Sequence, residues 1–168
     1  MFTAPLVRPA FLRDVPAITA IYNHAVVHTT ASYDLEPVTE ASRLAWFEAR
    51  QADGWPVWVA EQGGQVVGWA TFGPFRAKPG YRFTAEHSVY VAPDAQGQGA
   101  GRLLMTYLIA EARQRGLHSL VGGVDAENTG SLAFHARLGF VPVAHFRQVG
   151  RKFDRWLDLT FVQLLLEP

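Results

Sequence analysis

The segment Val91-Ala-Pro-Asp-Ala-Gln96-Gly97-Gln98-Gly99-Ala100-Gly101-Arg102-Leu103-Leu104 joins a short apolar run to a long amphipathic one. This pattern predicts a strand that ends at Val91 and a helix that begins near Gly99. Three alternating glycines let the backbone approach a ligand with its N–H groups turned outward. Because a helix N-terminus carries partial positive charge, the segment is suited to hold a pyrophosphate. The alternative is a glycine-rich turn that only eases a tight strand-to-helix corner.

The spacing of the glycines separates this loop from two other phosphate-binding loops. The chain contains no Gly-x-x-x-x-Gly-Lys-Ser/Thr sequence, which argues against a P-loop kinase or ATPase. The dinucleotide fingerprint Gly-x-Gly-x-x-Gly fails because Arg102 stands where its third glycine belongs. What remains is Gln-x-x-Gly-x-Gly, formed by Gln96, Gly99 and Gly101.

The rest of the chain changes between helical and strand periodicity. Strands are predicted at 6–11, 57–60, 66–72, 83–91, 117–124, 140–146 and 153–166. Helices are predicted from Asp14, from Thr39 to about Asp53, and over 99–116 and 128–138. The segment 73–81, rich in Gly and Pro, is predicted to be irregular. The order β-α-α-β-β-β-α-β-α-β-β predicts a mixed sheet with helices on both faces.

Length and composition predict a single domain spanning residues 1–168. Fifteen Lys and Arg residues balance fifteen Asp and Glu residues, which argues against a protein that holds nucleic acid by bulk charge. The absence of cysteine excludes disulfide frameworks, thiolate zinc sites, iron–sulfur clusters and cysteine nucleophiles. No apolar run is long enough for a membrane helix and no signal peptide is recognisable, so we expect a cytoplasmic protein without a membrane partner.

The loop from Gln96 to Gly101 resembles the acyl-CoA pyrophosphate loop of the GNAT superfamily of N-acetyltransferases. The likeness is closer to one branch, the phosphinothricin acetyltransferase-like enzymes and the L-amino acid N-acyltransferases. Matching segments cover most of the chain, at 21–33, 46–47, 81–91, 128–140 and 149–158. The resemblance implies an α/β (α+β) fold with a central mixed, mostly antiparallel sheet and helices on both faces.

The resemblance also implies a reaction. An acetyl group would pass from acetyl-CoA, the co-substrate, to the primary amine of a small amino acid-like molecule such as phosphinothricin, methionine sulfoximine or sulfone, or an L-amino acid. Between residues 76 and 115, six Lys or Arg residues stand against three acids, an excess that would attract the anionic CoA. Two alternatives stay open: a non-catalytic sensor that binds acyl-CoA, and an acetyltransferase for a different amine.

Glu86 is the candidate general base, because an amine must lose its ammonium proton before it can attack a thioester. It lies on the predicted strand among Phe83, Val89 and Tyr90, where desolvation would raise its pKa. The resemblance implies a glutamate with this role at this position. The alternative is a structural ion pair between Glu86 and a nearby arginine such as Arg82.

His135 is the candidate acid that protonates the departing thiolate. Many members of the superfamily carry a tyrosine four residues before the Gly-Phe pair that closes the last helix, and here that position holds His135. Histidine can serve because its unperturbed pKa is about 6.5, although a purely structural histidine is the alternative. Asn128 is expected to bind the pantetheine arm or the substrate, and also to cap its helix.

The resemblance implies that acetyl-CoA is held mainly by the backbone. In this fold a strand splays open, which we expect at a bulge, and the pantetheine amides add to it like another strand. Freed N–H groups at 89–91 would also hold the oxyanion of the intermediate. The residues expected to bind acetyl-CoA are Val89, Tyr90, Val91, Gln96, Gly97, Gln98, Gly99, Ala100, Gly101, Arg102, Asn128 and Ser131.

Substrate selection is expected to come from the irregular segment and the first helical region. In these segments Arg76 or Arg82 would bind a carboxylate or phosphinate of the substrate, and aromatic side chains would line the pocket for the amine. The residues expected to bind substrate are Tyr33, Phe75, Arg76, Tyr81, Arg82, Glu86 and His87. No metal is expected, since His24 and His28 lie four apart without a third ligand. A homodimer is expected, with the apolar strand 153–166 as a candidate interface.

Overall fold

A computed structural model describes residues 4–166, which form a seven-stranded sheet flanked by four α-helices. The strands are β1 (Leu6–Pro9), β2 (Val57–Gln62), β3 (Gln65–Pro74), β4 (Thr84–Val91), β5 (Ser119–Asp125), β6 (Val141–Lys152) and β7 (Arg155–Leu165). The helices are α1 (Val15–His28), α2 (Glu40–Ala52), α3 (Ala100–Gln114) and α4 (Thr129–Arg137). The predicted order of elements is confirmed. None of the helices in the described part of the chain is long and apolar enough to cross a membrane.

The sheet is mixed and mostly antiparallel, as the sequence predicts. Its strand order is β1-β2-β3-β4-β5-β7-β6, and β4 and β5 form its parallel pair. β3 and β4 pair in one unbroken register up to Gly68 opposite Val91. β4 and β5, in contrast, pair over only three positions, the last being Glu86 opposite Val121. Beyond Glu86 these two strands separate and leave an opening in the middle of the sheet.

Hydrophobic cores cover both faces of the sheet, which confirms the prediction of helices on both sides. The core on one face lies under α3, and its fully buried members include Phe72, Leu104, Leu108 and Leu120. The core on the other face lies under α1 and α2, and includes Ile18, Phe47, Val59 and Trp69. Since successive side chains alternate along a strand, Glu86 lies on the α1 face and His87 on the α3 face.

The hairpin of β6 and β7 differs from the prediction. β6 continues to Lys152, and Gly150 lies inside it rather than at the entrance to β7. A Cβ at Gly150 would lie 2.6 Å from the Tyr33 ring, so this glycine makes room for that ring. The turn is made by Phe153 and Asp154, whose φ angles are +50° and +58°. Because glycine or asparagine usually occupies such positions, the sequence gives no signal for this turn.

Candidate active site

The loop between β4 and α3 adopts a conformation that its glycines permit. Gly97 and Gly99 have φ angles of +74° and +93°, the left-handed region that glycine enters without strain. A Cβ at either position would meet no atom within 4 Å, so open space surrounds this backbone. Gly101 lies where α3 packs on β4 and α4, since a Cβ there would be in ordinary contact with the Val91 side chain at 3.4 Å and with the Phe134 ring at 3.6 Å. The N-terminal amides of α3 thus border open space, where they favour an anion.

A cleft of about 800 Å³ lies between this loop, the end of β4 and the start of α4. Arg102 of α3 and Arg137 of α4 line it, and neither forms an ion pair with another residue of the range 4–166. Two unpaired guanidinium groups and a helix N-terminus make the cleft electropositive, which suits a phosphate-bearing ligand. The lining residues are Val89, Val91, Ala95, Gln96, Gly97, Gly99, Gly101, Arg102, Asn128, Gly130, Ser131, Phe134, Arg137 and Leu138.

Most residues predicted to bind acetyl-CoA line this cleft, but Tyr90, Gln98 and Ala100 do not. Ala100 is buried in the first turn of α3. The Gln98 side chain donates to the Asp94 carbonyl at 2.7 Å, and the Tyr90 ring stacks on Trp69 on the other face of the sheet.

Sequence reasoning also missed five lining residues: Ala95 and Gly130, and three near the C-terminal end of α4, namely Phe134, Arg137 and the C-cap residue Leu138. Phe134 follows Ser131 by three residues, and Arg137 and Leu138 follow Phe134 by three and four. Residues at this spacing share one face of a helix. Extending the face that begins at Ser131 would therefore have found these last three.

The opening between β4 and β5 leaves part of the β4 backbone without a strand partner. The Ala92 N–H donates to the Val67 carbonyl of β3 at 2.8 Å. Hydrogen-bonded pairs recur at every second residue of an antiparallel ladder, so Tyr90 also bonds to β3. Val89 and Val91 therefore direct their N–H and C=O groups into the opening. The predicted bulge is wrong: the register with β3 is unbroken, and the opening arises because pairing with β5 ends early.

Glu86 is the last residue of β4 that pairs with β5, so it stands where the opening begins. A glycine on each adjacent strand leaves space beside its side chain. Gly73 of β3 lies opposite it, and a Cβ on Gly123 of β5 would lie 3.8 Å from Glu86 Oε1. The side chain keeps contact with solvent, yet desolvation by the surrounding protein raises the pKa of its carboxyl group.

The structural ion pair considered for Glu86 is not formed with any residue in 4–166. Arg82 instead points its guanidinium toward the Pro79 carbonyl, at 3.5 Å, and over the Phe83 ring, at 4.4 Å from its centroid. An unpaired carboxylate with a raised pKa is suited to accept a proton near neutral pH.

His135 and His87 form a buried pair that joins α4 to β4. Their Nε2 atoms are 2.9 Å apart, and His135 Nδ1 lies 2.8 Å from the Ser131 carbonyl oxygen. Because a carbonyl oxygen only accepts, His135 Nδ1 carries the proton, and its Nε2 accepts a hydrogen bond from His87 Nε2. Burial lowers the pKa of both imidazoles, and with the neighbouring His135 it lowers that of His87 to about 3. The pair is therefore neutral.

This geometry does not support the predicted roles of either histidine. His135 is only 4% exposed, and both of its ring nitrogens are used, so it is not free to protonate a thiolate in the cleft. His87 lies on the opposite face of β4 from Glu86, which keeps it from a substrate held there. A Cβ at Gly122 would lie 2.5 Å from the His87 ring, so β5 leaves room for that ring. The pair fastens α4 to β4, two walls of the cleft.

Asn128 takes the predicted position at the N-terminus of α4. Its side-chain oxygen accepts a hydrogen bond from the Ser131 N–H at 3.0 Å, which caps the helix. Both residues also line the cleft. Capping and ligand contact are therefore compatible here.

Three aromatic residues pack together on the face of the sheet that carries Glu86. Phe161 of β7 lies directly opposite Gly123, and Phe75 packs edge-on against it with ring centroids 6.4 Å apart. Tyr81 contacts Phe75 at 5.8 Å, and the Arg76 guanidinium lies 5.6 Å from the Phe75 ring. The predicted substrate residues Phe75, Arg76 and Tyr81 are thus brought together.

Tyr33 lies at the far end of β5. Its hydroxyl is 3.0 Å from both Asp125 Oδ2 and the Asp158 carbonyl oxygen. Burial, and secondly the bond to Asp125, raise the pKa of this phenol, so it remains a neutral donor.

Metal ligands do not cluster in the part of the chain that the structure describes. No group of three or more His, Cys, Asp or Glu side chains gathers among residues 4–166. The His24 and His28 rings lie side by side on α1, with centroids 4.6 Å apart.

Known proteins resemble this chain over nearly its whole length. An L-methionine sulfoximine/L-methionine sulfone acetyltransferase of Salmonella typhimurium and the L-amino acid N-acyltransferase MnaT of Escherichia coli are each 52% identical over 161 residues, 96% of this chain and 94% of theirs. A phosphinothricin N-acetyltransferase of Alcaligenes faecalis is 43% identical over 151 residues, 89% of this chain and 77% of the relative.

A solved structure shows the same likeness in three dimensions. The structure of yncA from Salmonella typhimurium with its cofactor acetyl-CoA superposes with a TM-score of 0.94 at 51% identity. The match covers 98% of this chain and 95% of that one. In addition, the model of the acetyltransferase (GNAT) family matches residues 18–140. The chain belongs to the acetyltransferase (GNAT) family.

Proposed function

We propose that this protein transfers an acetyl group from acetyl-CoA to the primary amine of a small amino acid-like substrate. One observation carries the proposal: Val89 and Val91 line the electropositive cleft, and Glu86, whose carboxylate has no ion pair within residues 4–166, lies on the same strand where β4 and β5 separate. A ligand that lies in the cleft and along the free edge of β4 would bring its end close to a candidate general base, as acyl transfer from a CoA thioester to an amine requires. The names of the relatives agree with this reaction.

The residues present fit the diphosphate and the pantetheine arm of acetyl-CoA. Amides of the loop at 97–101 and the N-terminus of α3 would hold the diphosphate, with Arg102 and Arg137 supplying countercharge. The free edge of β4 at Val89 and Val91 would pair with the pantetheine amides as an added strand. Bound in this way, acetyl-CoA would have its thioester at the opening, near Glu86.

The chemistry then follows from the groups at the opening. Glu86 accepts the ammonium proton of the substrate, and the freed nitrogen attacks the thioester carbon, so that a C–N bond forms. An N–H of Val89 or Val91 stabilises the oxyanion of the tetrahedral intermediate. The C–S bond then breaks, and the nitrogen gives up its second proton to solvent as the amide forms. The thiolate takes its proton from solvent, since both ring nitrogens of His135 are already bonded to His87 and Ser131.

The preferred substrates are methionine sulfoximine, methionine sulfone or other L-amino acids, with phosphinothricin as a further candidate. This order follows the relatives, because those named for methionine sulfoximine, methionine sulfone and L-amino acids share more identity with the chain than the phosphinothricin enzyme does. The aromatic wall of Phe75, Tyr81 and Phe161 would accept the aliphatic part of such a molecule.

The test is release of free thiol from acetyl-CoA in the presence of these amines. We expect turnover by the wild-type protein and a rate at least tenfold lower for Glu86→Gln, since the amide cannot accept a proton. Equal turnover by the variant would remove Glu86 from the role of base. Thermal stabilisation by CoA without turnover of any amine would instead indicate a non-catalytic acyl-CoA sensor.

We also propose that the residues 1–168 act as one catalytic domain, and as a homodimer in the cytoplasm. Several apolar side chains of the β6–β7 hairpin are more than half exposed, among them Val143, Val149 and Trp156, and a second copy would cover them. A cysteine-free chain suits a reducing compartment but does not require one. Sedimentation at twice the chain mass of 18.6 kDa supports the dimer, and sedimentation at the chain mass itself contradicts it.

A further inference from the structure

Arg50 of α2 is a partly buried cation that no acid in residues 4–166 pairs with. Its Nη1 donates to the Phe72 carbonyl at 2.7 Å and to Thr71 Oγ1 at 3.2 Å, and both partners are uncharged. Desolvation lowers the pKa of the guanidinium, and Asp53 at the end of the helix offsets this only in part. A desolvated charge without a counterion is costly, which suggests a ligand that supplies one.

A glycine brings this guanidinium close to Glu86. A Cβ at Gly73 would lie 2.6 Å from Arg50 Nη1 and 3.1 Å from Nη2, so a larger residue would displace the guanidinium. Gly73 is the residue of β3 directly opposite Glu86, and the Cα atoms of such pairs are about 5 Å apart. Arg50 and Glu86 therefore border one hollow in the sheet surface without forming an ion pair.

A second acid lies on the same face of the sheet, on β5. Asp125 lies two residues beyond Gly123 on β5, on the same face as Glu86, and its Oδ2 lies 3.0 Å from the Tyr33 hydroxyl. This face of the sheet thus has a guanidinium beside β3, Glu86 on β4, and the buried Asp125 at the end of β5. An α-amino acid carries opposite charges one carbon apart, so this field would orient it with its ammonium toward Glu86 and its carboxylate toward Arg50.

On the basis of the proposed function, we propose that Arg50 binds the α-carboxylate of the substrate while Glu86 receives its amine. The N–Cα and Cα–C bonds are each about 1.5 Å long, and a hydrogen bond at either end adds about 3 Å. Such a chain of atoms would reach from Glu86 to a guanidinium that lies beside Gly73, the residue opposite Glu86. Arg50 Nε and Nη2 form no hydrogen bond within the described chain, so they are available for the carboxylate.

The sequence also suggests Arg76 as a residue that binds a carboxylate. In the structure Arg76 lies where it would contact a different group of the substrate. It is exposed and lies over the Phe75 ring, three residues beyond Gly73. The sulfone, sulfoximine or phosphinate of the expected substrates lies several bonds from the amine, whereas the carboxylate is one carbon away. Arg76 therefore suits the distal group and Arg50 the carboxylate.

The test compares two amines that differ only in the carboxylate, L-methionine sulfone and 3-(methylsulfonyl)propylamine. For the wild-type protein we expect kcat/KM for acetylation to be about tenfold to a hundredfold higher with the amino acid, the range for a hydrogen bond to a charged group. In Arg50→Gln this preference should fall to within about twofold, through loss of the amino acid reaction alone. Arg50→Lys keeps the charge and should restore part of the preference.

Arg76→Gln is the matched control, because it removes a guanidinium from the same substrate region but should keep the preference for the carboxylate. If Arg50 only supports the fold, Arg50→Gln or Arg50→Lys lowers both reactions by one factor and the preference stays, which overturns this inference but leaves the proposed function intact. A wild-type protein that treats both amines alike also overturns the inference alone. Failure of the wild-type protein to acetylate either amine overturns both.

Discussion

Acid should destabilise this protein through the buried pair of His87 and His135. An unperturbed histidine has a pKa of 6.5, and burial lowers that of His87 to about 3. As the pH falls below about 6.5, the unfolded chain therefore takes up a proton at His87 while the folded chain does not. The stability that depends on this neutral imidazole is complete above that pH and is lost progressively down to about pH 3. The pKa of His135 is lowered as well, so it acts in the same direction.

The size of the effect follows from linkage. Each pH unit between the two pKa values costs about 1.4 kcal/mol of unfolding free energy for one histidine, so the loss from His87 between pH 7 and pH 5 is about 2 kcal/mol. Urea unfolding at these two pH values, followed by tryptophan fluorescence, measures it. His87→Asn lowers the stability at both pH values, but its loss between pH 7 and pH 5 should be smaller than that of the wild type by about 2 kcal/mol.

The control is His24→Asn, which removes an exposed histidine of α1 and should keep the wild-type dependence on pH. An identical change between pH 7 and pH 5 in the wild type and in His87→Asn would refute the assignment of a neutral, buried pair.

Three further predictions concern the cleft and its base. Gly122→Ala places a Cβ 2.5 Å from the His87 ring and should lower the stability measured by thermal unfolding by about 1–3 kcal/mol. The control Gly80→Ala meets no atom within 4 Å and should lower the stability much less. Equal losses in the two variants would contradict the packing of His87 against Gly122. Asn128→Ala should lose about 1 kcal/mol of stability from helix capping and should also raise the KM for acetyl-CoA. A loss of stability with an unchanged KM would show that Asn128 does not contact the ligand. Activity should increase as the pH rises through the raised pKa of Glu86, and this rise should be absent from Glu86→Gln; its persistence would assign the base to another group.

Local patterns in the sequence were sufficient to predict the glycine loop and the order of the helices and strands. Gly97 and Gly99 need a backbone that only glycine adopts easily, so their role is visible in the sequence itself. Asn128 likewise predicts the start of a helix, since its side chain accepts a hydrogen bond from the N–H three residues further on. The alternation along β4 is also local, and it places Glu86 and His87 on opposite faces of the sheet.

Contacts between segments that are distant in the sequence could not be predicted from such local patterns. His87 and His135 are 48 residues apart, and no pattern of spacing signals that their rings meet. Arg50 shares a helix with residues of ordinary amphipathic pattern, and its place beside Gly73 depends on how α2 packs on β3. A histidine on a helix face therefore suggested a catalytic acid, whereas packing makes it a buried structural partner.

The central claim is that backbone amides at the start of α3 hold the diphosphate of acetyl-CoA and so direct its thioester to Glu86. A crystal structure of the protein with coenzyme A tests this most directly. We predict diphosphate oxygens at hydrogen-bonding distance, about 3 Å, from main-chain nitrogens in 97–102, with the thiol pointing into the gap between β4 and β5. Coenzyme A bound elsewhere on the protein, with this loop in contact with solvent alone, would contradict the account.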